Sequence, residues 1–238
     1  MTGEAYAATR ARPDGARTRL PGGTTPSPSG PLLLAAGCVG GLALVWCLAE
    51  LVPAIHVRDG VLLGDFVRLS SPHLNQVLRS ILHLLDPSLY ILWGVALVAL
   101  ALARSRPRVA LAIAVVLGAA PLAAEVLKPL LQHGDAGYRA TQLGISSWPS
   151  GHATAALTLA LCAVLAVPAR WRALTAAIGL LFAAVVGAGL LILAKHMPSD
   201  VVGGYLIATL WIALAVAALR AAELRWPSRR PAPAGEVP

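Results

Sequence analysis

The chain has 238 residues, 57% of them apolar and 13% charged, with a formal net charge of +8 and a mean hydropathy of +0.72. These values exclude an ordinary soluble domain and place the chain in the membrane class. Its arginines sit in short segments between apolar runs, where they set orientation. They do not form the clustered basic face that nucleic-acid binding needs.

In chain order, residues 1–30 end in GGTTPSPSG and lack the periodicity that would bury a core. They are expected to form a disordered cytoplasmic tail. The first apolar run, at 31–52, is too long for a signal-peptide core and has no small-x-small cleavage site, so an uncleaved helix is expected. The next stretch, SPHLNQVLRSILHLLD, offers Ser71 as an N-cap and Pro72 at the first helical position. Leu74, Val77, Leu78, Ile81, Leu82 and Leu85 fall on one stripe, which predicts an interfacial amphipathic helix with His73 and His83 on its surface. Further apolar runs follow at 87–104, 107–128, 152–169, 172–194 and 198–219, each near the roughly 20 residues a bilayer crossing needs. Pro168 and the Arg-Trp-Arg after it mark the end of the 152–169 run. Gly37 with Gly41 is a small-xxx-small pair for helix packing. Cys38, Cys47 and Cys162 lie inside apolar runs with no Cys-x-x-Cys spacing, and read as core residues rather than disulfide partners or metal ligands. The predicted fold is all-α: a polytopic bundle of six transmembrane helices over 31–220, followed by a basic, Pro-rich cytoplasmic tail at 221–238.

The basic residues predict the orientation. Of the 19 Lys and Arg, the larger share falls on the side that holds both termini, which is therefore expected to be cytoplasmic. The six histidines then lie at or near the opposite face. A multi-pass protein of the cell membrane with an outward-facing site is the expectation.

Three segments on that face carry polar groups at helix ends. In SWPSGHAT, Pro149 and Ser150 precede a helix, so the Ser150 hydroxyl and nearby N–H groups sit at a helix N-terminus, where an anion such as phosphate is favoured. Gly151 has no side chain and lets an oxyanion approach the backbone. A capping serine beside a surface His152 is the plainer reading of the same residues. In AKHMPSD, His196 and Asp200 have the spacing that shares a helical face, and an aspartate on one ring nitrogen would leave the other free to attack or take a proton. The plainer alternative is a capping aspartate near an incidental histidine. In EVLKPLL, Lys128 ends an apolar run with Glu125 one turn earlier, which fits either a phosphate-binding cation or a snorkelling lysine paired with that glutamate.

The order Lys128, Pro149-Ser150-Gly151-His152, then His196 with Asp200 resembles the type 2 phosphatidic acid phosphatase (PAP2) family, membrane lipid phosphatases that share a site plan with vanadium haloperoxidases. The resemblance covers about residues 31–220. It implies that His196 is the nucleophile forming a phosphohistidine, that Asp200 orients it and that His152 protonates the leaving oxygen. It further implies that Lys128, Ser150 and the Gly151 backbone hold the phosphoryl oxygens. Two arginine positions of the family depart: Asp135 and Ala136 stand where its first motif has Arg-Pro, and Gly189 and Leu190 where its third has Ser-Arg. Arg139, in the connection before SWPSGHAT, is the expected substitute, with Lys195 and His133 as alternatives. No cofactor and no metal are expected. The expected partners are a lipid phosphate substrate and membrane lipids, with no nucleic acid. Rival readings are a non-catalytic binder or transporter of anionic lipid on the same scaffold, and a metal hydrolase with His152, His196 and Asp200 as ligands.

Overall fold

The computed structural model describes residues 27–131 and 148–226, and all regular structure among them is helical. In chain order the helices are α1 Ser29–Leu51, α2 Pro53–Val67, α3 Pro72–His83, α4 Pro87–Ala103, α5 Pro107–Leu131, α6 Gly151–Ala166, α7 Ala169–Ile192 and α8 Pro198–Arg225. Every apolar run of the sequence is a helix, but the expected count of six spans is not reproduced. Helices α1, α5, α7 and α8 are long and apolar enough to cross a bilayer, and α3 with α4, bent by 52°, makes a fifth if that pair is taken as one span. Helix α6 has only 16 residues.

Short as it is, α6 is the centre of the bundle, packed by α5, α7, α8 and α4. Ala153, Ala155, Ala156, Ala160, Cys162 and Ala166 are buried along it. Small side chains let the neighbouring backbones come close, which replaces the hydrophobic driving force that lipid removes. At the α6–α7 crossing a Cβ on Gly179 would lie 2.7 Å from that of Ala160. Helix α1 lies along α8, where Gly41 faces Leu206 while Gly37 meets nothing within 4 Å. Only one glycine of the expected pair therefore serves packing. Leu33, Leu111, Leu130 and Leu181 point outward from the bundle, as lipid-facing side chains do. Cys38 and Cys162 are buried thiols.

Pro121 lies inside α5. It has no N–H to give the carbonyl one turn back, and that carbonyl, Leu117, instead accepts from the Tyr90 hydroxyl at 3.1 Å. The proline thereby creates the tie between α4 and α5.

Three features differ from the sequence expectation. Helix α2 occupies a stretch to which no element was assigned, because its mixed pattern Pro-Ala-Ile-His-Val-Arg-Asp-Gly shows neither a continuous apolar run nor a clean stripe. Helix α3 forms as expected, with the Ser71 hydroxyl accepting from Leu74 N at 3.3 Å, but Val77 is exposed while Leu78, Leu82 and Leu85 are buried. Helix α8 continues past residue 220 to Arg225, since Ala-Ala-Glu-Leu-Arg are strong helix formers. Its extension is tied to α5 by Arg108, which lies 3.4 Å from Glu223 and donates to Trp226 O at 2.8 Å.

Candidate active site

Helix α6 starts at Gly151, with Ser150 as its N-cap. The Ser150 hydroxyl caps the helix, accepting from Ala153 N at 3.3 Å, and the Thr154 hydroxyl donates back to Ser150 O at 2.8 Å. Both side chains are fully buried. The Ser150 amide leaves its own segment and donates to the main-chain oxygen of Asp200 at 3.0 Å. This bond joins the Pro149-Ser150-Gly151-His152 segment directly to the start of α8. Two glycines of α8 allow the approach. A Cβ on Gly204 would lie 2.6 Å from Ser150 O, and one on Gly203 would lie 2.9 Å from the indole of the buried Trp148.

His196 sits in the turn between α7 and α8. Helix α7 ends in a Schellman motif, with Lys195 N donating to Leu190 O at 2.8 Å and Ala194 N to Leu191 O at 3.0 Å. The residue in the left-handed position is Ala194, φ 51°, where glycine would avoid a cost of about 1–2 kcal/mol. Pro198 then opens α8 at its first position. Asp200, two residues on, reaches back. Its Oδ2 accepts from Met197 N at 2.9 Å and lies 3.3 Å from His196 Nδ1. The pair therefore meets for a different reason from the one the spacing suggested. His196 is outside the helix, and the carboxylate that caps the helix also reaches the ring. Asp200 is fully buried, and the His196 side chain is 13% exposed.

Lys128, near the end of α5, lies 2.5 Å from Glu125 Oε1. A Cβ on Gly151 would meet that same carboxylate oxygen at 2.7 Å and Lys128 Nζ at 3.8 Å. An anionic oxygen thus already rests against the Gly151 backbone, at the place where the sequence predicted an oxyanion. Burial lowers the His152 imidazole below its ordinary value, the nearby His196, Lys195 and Lys128 lower it further, and Asp86 pulls it up. Lys128, Ser150, Gly151, His152, His196 and Asp200 are therefore brought to one end of the bundle. Arg139 and His133 lie outside the described residues. Gly189 and Leu190, the positions of the missing arginine motif, are packed. Leu190 is fully buried beside Leu82 and Val186, and a Cβ on Gly189 would meet the Leu78 side chain at 3.2 Å.

One further polar group reaches this end of the bundle from a helix the sequence reading did not assign. Asp59 of α2 accepts from Ser199 N at 3.2 Å and from the Ser199 hydroxyl at 2.6 Å. Burial raises the Asp59 carboxyl above its ordinary value, with Asp200 adding to the rise, while the Ser199 hydrogen bonds and His56 pull it down. The signal available was weak, since Asp59 stands beside Arg58 in a mixed stretch that also holds His56 and Asp65. Among the described residues, no three or more His, Cys, Asp or Glu side chains are gathered as metal ligands would be. His152, His196 and Asp200 do not form such a group.

Comparison with known proteins adds a second line. Residues 109–223 match the family model described as the PAP2 superfamily. Among solved structures, the fold is similar to the crystal structure of a transmembrane PAP2-type phosphatidylglycerolphosphate phosphatase from Bacillus subtilis. The TM-score is 0.65 at 23% identity, covering 76% of this chain and 94% of that one. No curated protein matches the sequence.

Proposed function

We propose that the chain is a lipid phosphatase, since residues 109–223 match the PAP2 superfamily model and its apolar helices make it a multi-pass membrane protein. It hydrolyses a phosphomonoester or diphosphate on a membrane lipid, at the extracytoplasmic face and through a phosphohistidine. The carrying observation is the bond from Ser150 N to Asp200 O. It holds the anion-binding end of α6 beside the histidine that Asp200 orients.

With Asp200 on Nδ1, His196 keeps Nε2 for attack. Nε2 forms a bond to phosphorus as the bond from phosphorus to the lipid oxygen breaks, and His152 gives that oxygen its proton. A water molecule then attacks the phosphohistidine, returning a proton to His152 and releasing inorganic phosphate. General acid–base help of this kind contributes about 10²–10⁴-fold. Lys128, the α6 N-terminus and the Gly151 backbone hold the phosphoryl oxygens, and preorganised donors there act on the developing charge. Position 190 supplies no cation. Arg139, Lys195 beside the nucleophile, and His133 are the candidate sources, and a point charge binds phosphate less specifically than a guanidinium fork.

Polyprenyl diphosphate, phosphatidic acid and phosphatidylglycerol phosphate all carry the required group, and the last is what the similar Bacillus protein is named for. The test is phosphate release from these three lipids by purified protein, with His196→Ala as control. Wild-type turnover that falls at least about 10³-fold in the variant supports the reading. It should also persist in chelator and be inhibited by vanadate. Binding of the lipids with no release would instead favour a non-catalytic anionic-lipid binder.

A further inference from the structure

The first turn of α8 is held from two directions. From within the turn, Asp200 reaches back to Met197 N at 2.9 Å. From outside, Asp59 takes both donors of Ser199, across 140 residues of sequence. Ser199 follows Pro198, which has no N–H, so its amide is the first donor the helix presents. A carboxylate placed there also complements the positive end of the helix dipole. Helix α2 lies ahead of the family-matched region.

The distance between Asp200 and His196 makes this anchoring matter. At 3.3 Å the contact is already longer than the 2.7–2.9 Å typical of a charge-assisted bond. Movement of the α8 start by a few tenths of an ångström away from the ring would end it. We infer that Asp59 is a positioning residue of the active site: through Ser199 it pins the first turn of α8 and keeps Asp200 within reach of the His196 ring. The pin uses both carboxylate oxygens as acceptors, Oδ1 from Ser199 N and Oδ2 from the Ser199 hydroxyl, and an amide at position 59 keeps only one of them.

The activity readout rests on the phosphatase reading, so the test carries a second measurement that does not. Asp59→Asn, Asp59→Ala, Ser199→Ala and the double alanine variant are made in the full chain. Each is assayed for phosphate release from phosphatidic acid, phosphatidylglycerol phosphate and polyprenyl diphosphate in mixed micelles. Expected are kcat losses of about 10-fold for Asp59→Asn and Ser199→Ala and roughly 10²-fold for Asp59→Ala, with KM nearly unchanged. The double variant should be no worse than Asp59→Ala, and the Asp59→Asn loss in kcat should exceed what any change in its melting temperature accounts for. Amide exchange over residues 197–202 should quicken in Asp59→Ala and stay as in wild type elsewhere. Unchanged kcat in Asp59→Ala overturns the inference, and so does an Asp59→Asn loss that tracks a lowered melting temperature. If the wild type releases no phosphate from any of the lipids, the phosphatase reading fails instead. The pin is then decided by exchange alone: local quickening at 197–202 upholds it, and none refutes it.

Discussion

Replacing Gly204 by alanine places a methyl carbon where α6 and α8 come closest, 2.6 Å from Ser150 O and 3.0 Å from Thr154 N. Ordinary van der Waals contact begins near 3.4 Å, so the two backbones must separate by about 0.8 Å, and both neighbours are main-chain atoms that cannot rotate away. The bond from Ser150 N to Asp200 O starts at 3.0 Å, and an opening of that size carries it beyond hydrogen-bonding range. Overpacking of this kind costs about 1–3 kcal/mol, and the lost bond adds about 1 kcal/mol. Because the displaced segment carries Gly151 and His152, kcat should fall by about 10²-fold as well. Thermal unfolding in detergent and phosphate release at saturating lipid phosphate read the two effects. Gly41→Ala is the control, since its Cβ would sit at an ordinary 3.4 Å from Leu206. A Gly204→Ala protein with wild-type melting and kcat within twofold would refute the account of how the two motifs are joined. An equal loss in Gly41→Ala would do the same.

Two other substitutions probe the turn and the missing cation. Leu190→Arg, which restores the family's side chain in sequence, should not restore its function. It places an unpaired charge at a fully buried position, for about 3–5 kcal/mol of lost stability; a gain in kcat/KM with unchanged melting would show that the position opens to phosphate. Ala194→Gly relieves the left-handed φ of 51° and should stabilise by about 0.5–1 kcal/mol. Guanidinium or thermal melts read this directly, and a destabilised variant would contradict the strain.

The sequence made the helices and the site legible to different degrees. Long apolar runs identify themselves, because burying or lipid-facing every side of a helix leaves a compositional mark. Helix α2 carries no such mark, so the residue it contributes, Asp59, was invisible until α2 was seen against α8. The Pro-Ser-Gly-His segment marks a helix start in the sequence, and Ser150 caps that helix, because a serine cap has a local cause. His196 and Asp200 were paired from their spacing, yet the geometry that joins them is the cap of α8, which spacing alone does not encode. The role of Gly203 and Gly204 depends on what stands opposite, and one sequence gives no view across an interface. The arginine gap at positions 189 and 190 was plain in the sequence. Its physical meaning, that the space has gone to Leu78 and Leu190, came only from packing.

Glu125 gives the cradle a resident anion. Its carboxylate lies 2.7 Å from where a Gly151 Cβ would be and is bound to Lys128, so on the phosphatase reading an incoming phosphoryl group would not fill an empty, positively charged hole. It would exchange with a tethered competitor. Exchange sets a threshold that simple addition lacks: a chloride or acetate ion offers Lys128 nothing that Glu125 does not already provide at high effective concentration. A phosphate brings a second charge and further oxygens for the α6 N-terminus. On the phosphatase reading, the Glu125–Lys128 pair would favour a doubly charged anion over a singly charged one.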